Sequence, residues 1–80
     1  MHVDTLGTVQ DITHTGMVVV RGKYAPRPGT RVFDSAKKEV GKVRRVFGPV
    51  KTPYITVKPS RPKGEELLKL MGKRVFADKR

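Results

Sequence analysis

The side chains that could perform acid–base or metal chemistry are few in this 80-residue chain and lie scattered along it. His2 and His14 are the two histidines, and neither has further ligand-type residues around it at the spacing of a metal site. No carboxylate falls in a motif that pairs a nucleophile with a base; the carboxylates are Asp4, Asp11, Asp34, Glu39, Glu65, Glu66 and Asp78. Cysteine is absent, which excludes thiol chemistry and disulfides. The sequence therefore predicts no catalytic residue, metal or cofactor, and the protein is not expected to be an enzyme.

Chain length leads to the same expectation. A chain of this size forms one domain with a thin core, so it has no room for a deep cleft that would hold a small molecule. The glycines are spread singly through the chain, and none opens a phosphate-binding loop ahead of a helix. No apolar run approaches the ~20 residues that span a bilayer, and residues 1–6 do not resemble a signal peptide. We therefore expect a cytoplasmic protein without membrane contact.

Charge is the strongest feature of the composition. The chain has 18 Lys and Arg against 7 Asp and Glu, a net charge of +11. Most of this excess lies in the second half, which carries twelve of the basic residues and three of the acidic ones. A surface of this kind is typical of proteins that face nucleic acid, and the alternative is a charged surface that serves solubility or heat resistance.

The first forty residues read as short strands separated by turns. A strand with a bulge is predicted at residues 6–12, where Val9 and Ile12 break strict alternation. The apolar run at 17–20 predicts a central strand buried on both faces. Two prolines place a loop at 22–29, and a short strand at 30–34 leads into a polar turn at 35–38.

The second half continues this pattern and adds a helix. Residues 39–47 have both helix-like spacing and strand-type composition, and we predict a strand with a bulge near Gly41. Residues 54–58 alternate cleanly, so Ile55 and Val57 should point one way. A helix is predicted over 63–71, with Pro62 in its first turn and Gly72 at its end. Its apolar face should comprise Leu67, Leu68 and Met71, and residues 74–77 should form a last strand.

About six short strands at this spacing favour a small, nearly closed β-barrel, because closure removes exposed strand edges. We therefore predict an all-β fold: one six-stranded barrel domain over residues 1–77 with one short helix, followed by a frayed tail at 78–80. No internal repeat is apparent in the sequence.

The loop between the last two long strands is unusual. Loops are ordinarily polar and mobile, whereas this one is apolar and stiffened by proline. A stiff loop loses little entropy on docking, which suits a contact with a partner. The predicted partner-binding residues are Phe47, Gly48, Pro49, Val50, Pro53 and Tyr54. The alternative for the two aromatic residues is that they plug one end of the barrel.

The region from 28 to 59 also resembles a known family. Val-Gly-Lys-Val at 40–43, Phe-Gly-Pro-Val at 47–50 and Pro-Tyr at 53–54 occur there in order and at short spacing. In these elements the chain resembles the small Gar subunit of archaeal H/ACA ribonucleoproteins, a member of the Gar/Naf family. The chain lacks the Gly-Arg-rich tails of eukaryotic members, which favours the compact archaeal form and removes the usual RNA-binding segment.

The resemblance implies a six-stranded barrel similar to the second domains of translation factors. It also implies a non-catalytic role in guide-RNA-directed pseudouridine formation in rRNA, and so in ribosome biogenesis. The implied partners are the catalytic domain of the dyskerin-type pseudouridine synthase, the other H/ACA proteins and the guide RNA. In the family this subunit acts on a mobile loop of the synthase and assists substrate placement and product release.

The basic second half would then lie close to RNA without reading its sequence. The candidate RNA-facing residues are Arg44, Arg45, Lys51, Lys58, Arg61 and Lys63. The alternative function is a free-standing RNA-binding barrel of the ribosomal-protein or ribosome-maturation type. Against it, few aromatic rings are left to stack on bases, and Tyr24 and Tyr54 are the only candidates.

Overall fold

Six antiparallel strands close into a barrel in the computed structural model, which describes residues 3–60 and 64–78. The strands follow one another around the barrel in the order β1-β2-β5-β4-β3-β6. The elements are β1 Val3–Ile12, β2 Val18–Gly22, β3 Arg31–Phe33, β4 Glu39–Phe47, β5 Tyr54–Pro59, the short helix α1 Glu65–Leu68, and β6 Arg74–Asp78. The six-stranded barrel with one short helix is therefore confirmed. No helix among the described residues is long and apolar enough to cross a membrane.

The core consists of the side chains that alternate toward the barrel interior, most of them β-branched. Ile55 and Val57 of β5 are fully buried, as the alternation at 54–58 predicts. The prediction of a strand at 17–20 buried on both faces is wrong. Val18 and Val20 point inward and are fully buried, but Val19 between them is only half-buried. A closed barrel has a single interior, so the other face of each strand must meet solvent.

Bulges adjust which residues of the two longest strands face the interior. In β1 the pairing with β2 shifts between Val9 and Asp11, which confirms the predicted bulge. In β4 the pairing with β3 skips Val40, next to Gly41 as predicted. A second bulge in β4, at Arg44, was not predicted. It leaves two consecutive side chains, Arg44 and Arg45, exposed on the outside of the barrel.

The strand topology relates the two halves of the barrel, although no repeat is apparent in the sequence. Strands β1, β2 and β3 correspond to β4, β5 and β6. If each strand is replaced by its counterpart, the order of neighbours around the barrel stays the same. Gly7 of β1 lies so close to the neighbouring strand β2 that an added Cβ would be 2.0 Å from the carbonyl oxygen of Arg21. Gly41 of β4 lies equally close to β5, where an added Cβ would be 2.0 Å from the carbonyl oxygen of Lys58. Both positions therefore require glycine, because a side chain would collide with the backbone of the neighbouring strand.

The helix and the C-terminal strand differ in detail from the prediction. Helix α1 is one turn long, and Lys63, where the predicted helix begins, lies outside the described residues, as does Pro62. Leu67 and Leu70 are the buried pair, three residues apart, whereas Leu68 and Met71 are exposed. The predicted apolar face is thus wrong for Leu68 and Met71, because a single turn can direct only one i, i+3 pair to the core.

Asp78 does not belong to a frayed tail. It is the last residue of β6, where it pairs with Val3 of β1. Its carboxylate also accepts a hydrogen bond from Arg31 at 3.2 Å. Residues 79 and 80 lie outside the described residues.

Candidate interaction surfaces

Two aromatic rings mark the end of the barrel where β4 passes into β5. Phe47 and Tyr54 are paired across these strands. Their rings stack with centroids 5.5 Å apart and an interplanar angle of 20°. Phe47 is 47% exposed and Tyr54 is half-buried, so the rings do not plug the barrel. They form a surface on its outside.

The loop that joins these strands presents apolar side chains to solvent. Val50 at its tip is 93% exposed, and Pro49 beside it is also exposed. Pro53 is buried, and its carbonyl oxygen accepts a hydrogen bond of 2.8 Å from the Gly22 amide at the end of β2. Of the predicted partner-binding residues, Pro53 therefore supports the loop from beneath, whereas the others lie at or beside the surface. We call Phe47, Pro49, Val50 and Tyr54 the β4–β5 loop surface.

Gly48 has a geometric reason to be glycine. Its φ of 92° is a left-handed conformation that side chains other than glycine adopt at a cost. A Cβ at this position would also lie 3.0 Å from Cδ2 of Tyr54. The glycine therefore allows the chain to turn directly against the Tyr54 ring.

Arg21 of β2 fixes this surface, and sequence reasoning missed it. Its Nη1 donates a hydrogen bond of 2.6 Å to the Tyr54 hydroxyl, and its Nη2 donates one of 3.2 Å to Oγ1 of Thr52. Its guanidinium carbon lies 4.6 Å from the centre of the Tyr54 ring. Tyr54 is thus held between Phe47 and Arg21 by stacking and cation–π contacts. Only the pairing of Arg21 with Tyr54 between β2 and β5 brings these residues together.

An exposed, pre-organised apolar surface of this kind is suited to binding another protein. Tyr and Arg residues are the types that contribute most at protein interfaces, and here both are already held in place. Little side-chain entropy remains to be lost when a partner covers them.

The predicted RNA-facing residues that the structure describes lie on two strands and on the loop between them. Arg44 and Arg45 lie on β4, Lys58 lies on β5 and Lys51 lies in the loop; all four are exposed. Arg61 and Lys63 lie outside the described residues. Lys42, which sequence reasoning did not single out, is exposed on β4 directly opposite Lys58.

Within residues 3–60 and 64–78, no group of three or more His, Asp or Glu residues could hold a metal ion. Tyr24 has a raised pKa, first because it is partly buried and second because the Asp4 carboxylate disfavours the phenolate. A phenol that is harder to ionise is less suited to act as a base.

Two comparisons with known proteins found matches to this chain. A family model described as "Gar1/Naf1 RNA binding region" matches residues 3–80. An uncharacterized protein of Methanothermobacter thermautotrophicus is 39% identical over 56 residues, which cover 70% of this chain. The match covers 61% of that protein, so the chain spans less than two thirds of the length of this relative.

Proposed function

Because the chain belongs to the Gar1/Naf1 RNA-binding family, we propose that it is a non-catalytic accessory subunit of an H/ACA-type ribonucleoprotein, in which it binds the catalytic domain of the dyskerin-type pseudouridine synthase. The family consists of non-catalytic RNA-binding accessory proteins, and its model matches almost the whole chain. Family membership supports an accessory role in such particles in general. Contact with the synthase, with the other H/ACA proteins and with the guide RNA belongs to the proposal.

The observation that carries the proposed contact is the β4–β5 loop surface. Val50 and Phe47 are among the most exposed large apolar side chains of the described residues. Exposed apolar groups that are held rigidly and surrounded by polar residues mark protein interaction sites. Each of the six strands in the described part of the chain is already paired on both sides, which disfavours the addition of a strand from a partner. Docking through side chains at this loop is therefore the mode that the fold favours.

The proposed effect on the reaction is to assist substrate placement and product release. A rigid surface can do this only by binding one conformation of the synthase better than another, since a ligand shifts an equilibrium by its differential affinity. The barrel would stabilise an arrangement of a mobile synthase segment and would take no part in the chemical step.

Multiple-turnover pseudouridine formation by a guide-RNA-loaded synthase tests this proposal. Adding the wild-type chain should raise the turnover rate, and single-turnover rates should change less because release is then not required. The chain alone should form no pseudouridine. The Val50→Asp variant, which places a charge at the centre of the surface, should not raise turnover, whereas Lys51→Ala should have a far smaller effect. Equal multiple-turnover rates with and without saturating wild-type chain would refute the accessory role.

The candidate RNA-facing residues form a second part of the proposal. Arg44, Arg45, Lys51 and Lys58 would lie near the RNA of the particle and would contribute a sequence-independent attraction. Nanomolar binding of the isolated chain to one RNA sequence at physiological salt would instead favour a free-standing RNA-binding barrel.

A further inference from the structure

Three basic side chains lie side by side across β3, β4 and β5. Lys42 of β4 is directly opposite Arg31 of β3 on one side and directly opposite Lys58 of β5 on the other. We call these three residues the cationic row. Side chains at directly opposite positions have Cβ atoms only ~4.5–5.5 Å apart, and like charges in such pairs are destabilising.

Little in the structure compensates this repulsion. Arg31 is partly neutralised, because it forms an ion pair with Asp78 at 3.2 Å. Within residues 3–60 and 64–78, neither Lys42 nor Lys58 has a carboxylate at ion-pair distance. Both are exposed, so their ammonium groups are free to meet a ligand.

The corresponding row in the other half of the barrel shows that the fold does not require this arrangement. There Thr8 of β1 occupies the position of Lys42, and it pairs with Arg21 of β2 and Arg74 of β6. Each flanking strand again contributes a basic residue, but the central residue is neutral. The strand pairing at these positions is equivalent in the two halves, and a glycine precedes both Thr8 and Lys42. The charge of Lys42 is therefore a feature of this face alone.

The next residues along β4 extend the contrast. Arg44 and Arg45 are both exposed because of the bulge at Arg44. The equivalent bulge of β1 exposes Gln10 and Asp11 instead. One half of the barrel thus carries Lys, Arg and Arg at positions where the other half carries Thr, Gln and Asp.

We propose that the outer face of β3, β4 and β5, centred on Lys42, binds the phosphodiester backbone of nucleic acid, whose phosphates relieve the repulsion within the cationic row. Three neighbouring strands span about 10 Å, so the row is long enough to lie against more than one phosphate of a nucleic-acid strand. This inference rests on the RNA-facing role proposed above for Arg44, Arg45 and Lys58 and deepens it, because it names the ligand group and adds Lys42 and Arg31 to the face.

The chemistry of the face favours nucleic acid over an acidic protein. Among the described residues, the large exposed apolar side chains are Tyr24, Phe47, Val50, Leu68 and Met71, and only Phe47 belongs to β3, β4 or β5. A protein interface ordinarily has an apolar centre, whereas a phosphate track needs cations that have no other partner. The family description as an RNA-binding region agrees with this choice.

The test measures stability and RNA affinity on the same full-length variants. Lys42→Thr installs the residue that Thr8 provides in the other half, and Arg44→Gln installs the residue that Gln10 provides, so both variants should fold. Lys23→Thr is the matched control, since it removes one exposed positive charge that lies outside β3, β4 and β5 and outside the candidate RNA-facing residues. The probe is a fluorescent oligouridine of about 20 nucleotides, longer than the sites that small barrels cover. Its affinity is measured by anisotropy between about 50 and 200 mM KCl.

We expect the wild type to bind in the range of ~10⁻⁴–10⁻⁶ M near physiological salt. Lys42→Thr should weaken binding about fivefold at 0.1 M KCl and reduce the slope of log K against log salt by about 0.7. The same substitution should raise the Tm of the free chain by about 2–5 °C at low salt, because it removes two like-charge contacts. Arg44→Gln should reduce the affinity and the slope by similar amounts, and Lys23→Thr should change both less.

Lys42→Thr is expected to lower the RNA affinity and to raise the Tm, and this combination distinguishes a residue that binds RNA from one that stabilises the fold. If Lys42→Thr and Arg44→Gln both bind oligouridine with wild-type affinity and slope, the proposal is wrong. A fall in Tm with Lys42→Thr would show that the lysine stabilises the fold, and this too would contradict the proposal. Polyglutamate that displaces the RNA at equal charge would assign the face to an acidic protein instead. None of these results depends on the synthase, so failure of this proposal would leave the proposed contact with the synthase standing.

Discussion

Replacing Val50 by alanine tests the β4–β5 loop surface with the least disturbance to the fold. The substitution removes two methyl groups, and burying each methylene-sized group contributes ~0.8 kcal/mol. Since Val50 is 93% exposed in the free chain, nearly all of this area is available to be buried by a partner. Full burial at the interface would therefore make Val50→Ala cost about 1.5 kcal/mol of binding free energy, or about twelvefold in Kd.

Isothermal titration of the purified synthase with each variant measures this loss. The stability of the free chain should change by less than ~0.5 kcal/mol, because the side chain makes few contacts before binding. Lys51→Ala is the matched control, since Lys51 is the next residue and is also exposed. It should alter Kd by less than about threefold, as expected for a charge at the rim of an interface.

Two outcomes would show that this reasoning is wrong. If Val50→Ala binds the synthase as tightly as the wild type while its Tm is unchanged, Val50 is not covered by the synthase. If Lys51→Ala loses as much affinity as Val50→Ala, the contact at this loop is electrostatic and not apolar.

Three further predictions concern the fold itself. Gly41→Ala should destabilise the chain by at least about 3 kcal/mol in denaturant unfolding, because its Cβ would lie 2.0 Å from a backbone oxygen of Lys58. Gly16→Ala, at a glycine that has positive φ but open space around it, should cost only about 1–2 kcal/mol. Leu67→Ala should cost about 2–5 kcal/mol and Leu68→Ala less than about 1, since Leu67 is 7% exposed and Leu68 is 61% exposed; equal losses would contradict the assignment of the buried face. In a Tyr54→Phe chain, ultraviolet titration of Tyr24 should give a pKa above 10.0, and Asp4→Asn should lower that pKa. The contribution of Tyr24 to stability should be present below pH 10 and should fall as the pH rises further, because the unfolded chain then loses a proton that the folded chain retains.

The strands could be predicted because their signals are local. Alternation at 54–58 and the turn residues between runs of Val and Ile are enough to locate β5 and most of the other strands. The position of the loop surface also follows from local features, since proline and aromatic residues are adjacent in the sequence. Its geometry does not, because Arg21 reaches Tyr54 and Thr52 from more than thirty residues away.

The relation between the two halves of the barrel is not apparent in the sequence, because the two halves differ in length. Equivalent positions are 34 residues apart at Gly7 and Gly41 but 43 apart at Arg31 and Arg74, since the second half contains the insertion with α1. The outward-facing residues also differ in charge between the halves, which obscures their relation. The strand pairing makes the relation visible, and with it the unusual charge of Lys42.

Nuclear magnetic resonance of the labelled chain tests the proposed contact with the synthase most directly. Unlabelled synthase is added to the ¹⁵N-labelled chain, and the loss of each amide signal is followed along the sequence. The account predicts that the first signals to weaken belong to Phe47, Gly48, Val50 and Tyr54, together with Arg21, whose guanidinium contacts the Tyr54 ring. Signals of the turn at 35–38, at the other end of β4, should persist longest. Uniform retention of the loop signals, with losses centred elsewhere on the barrel, would contradict the proposed interface.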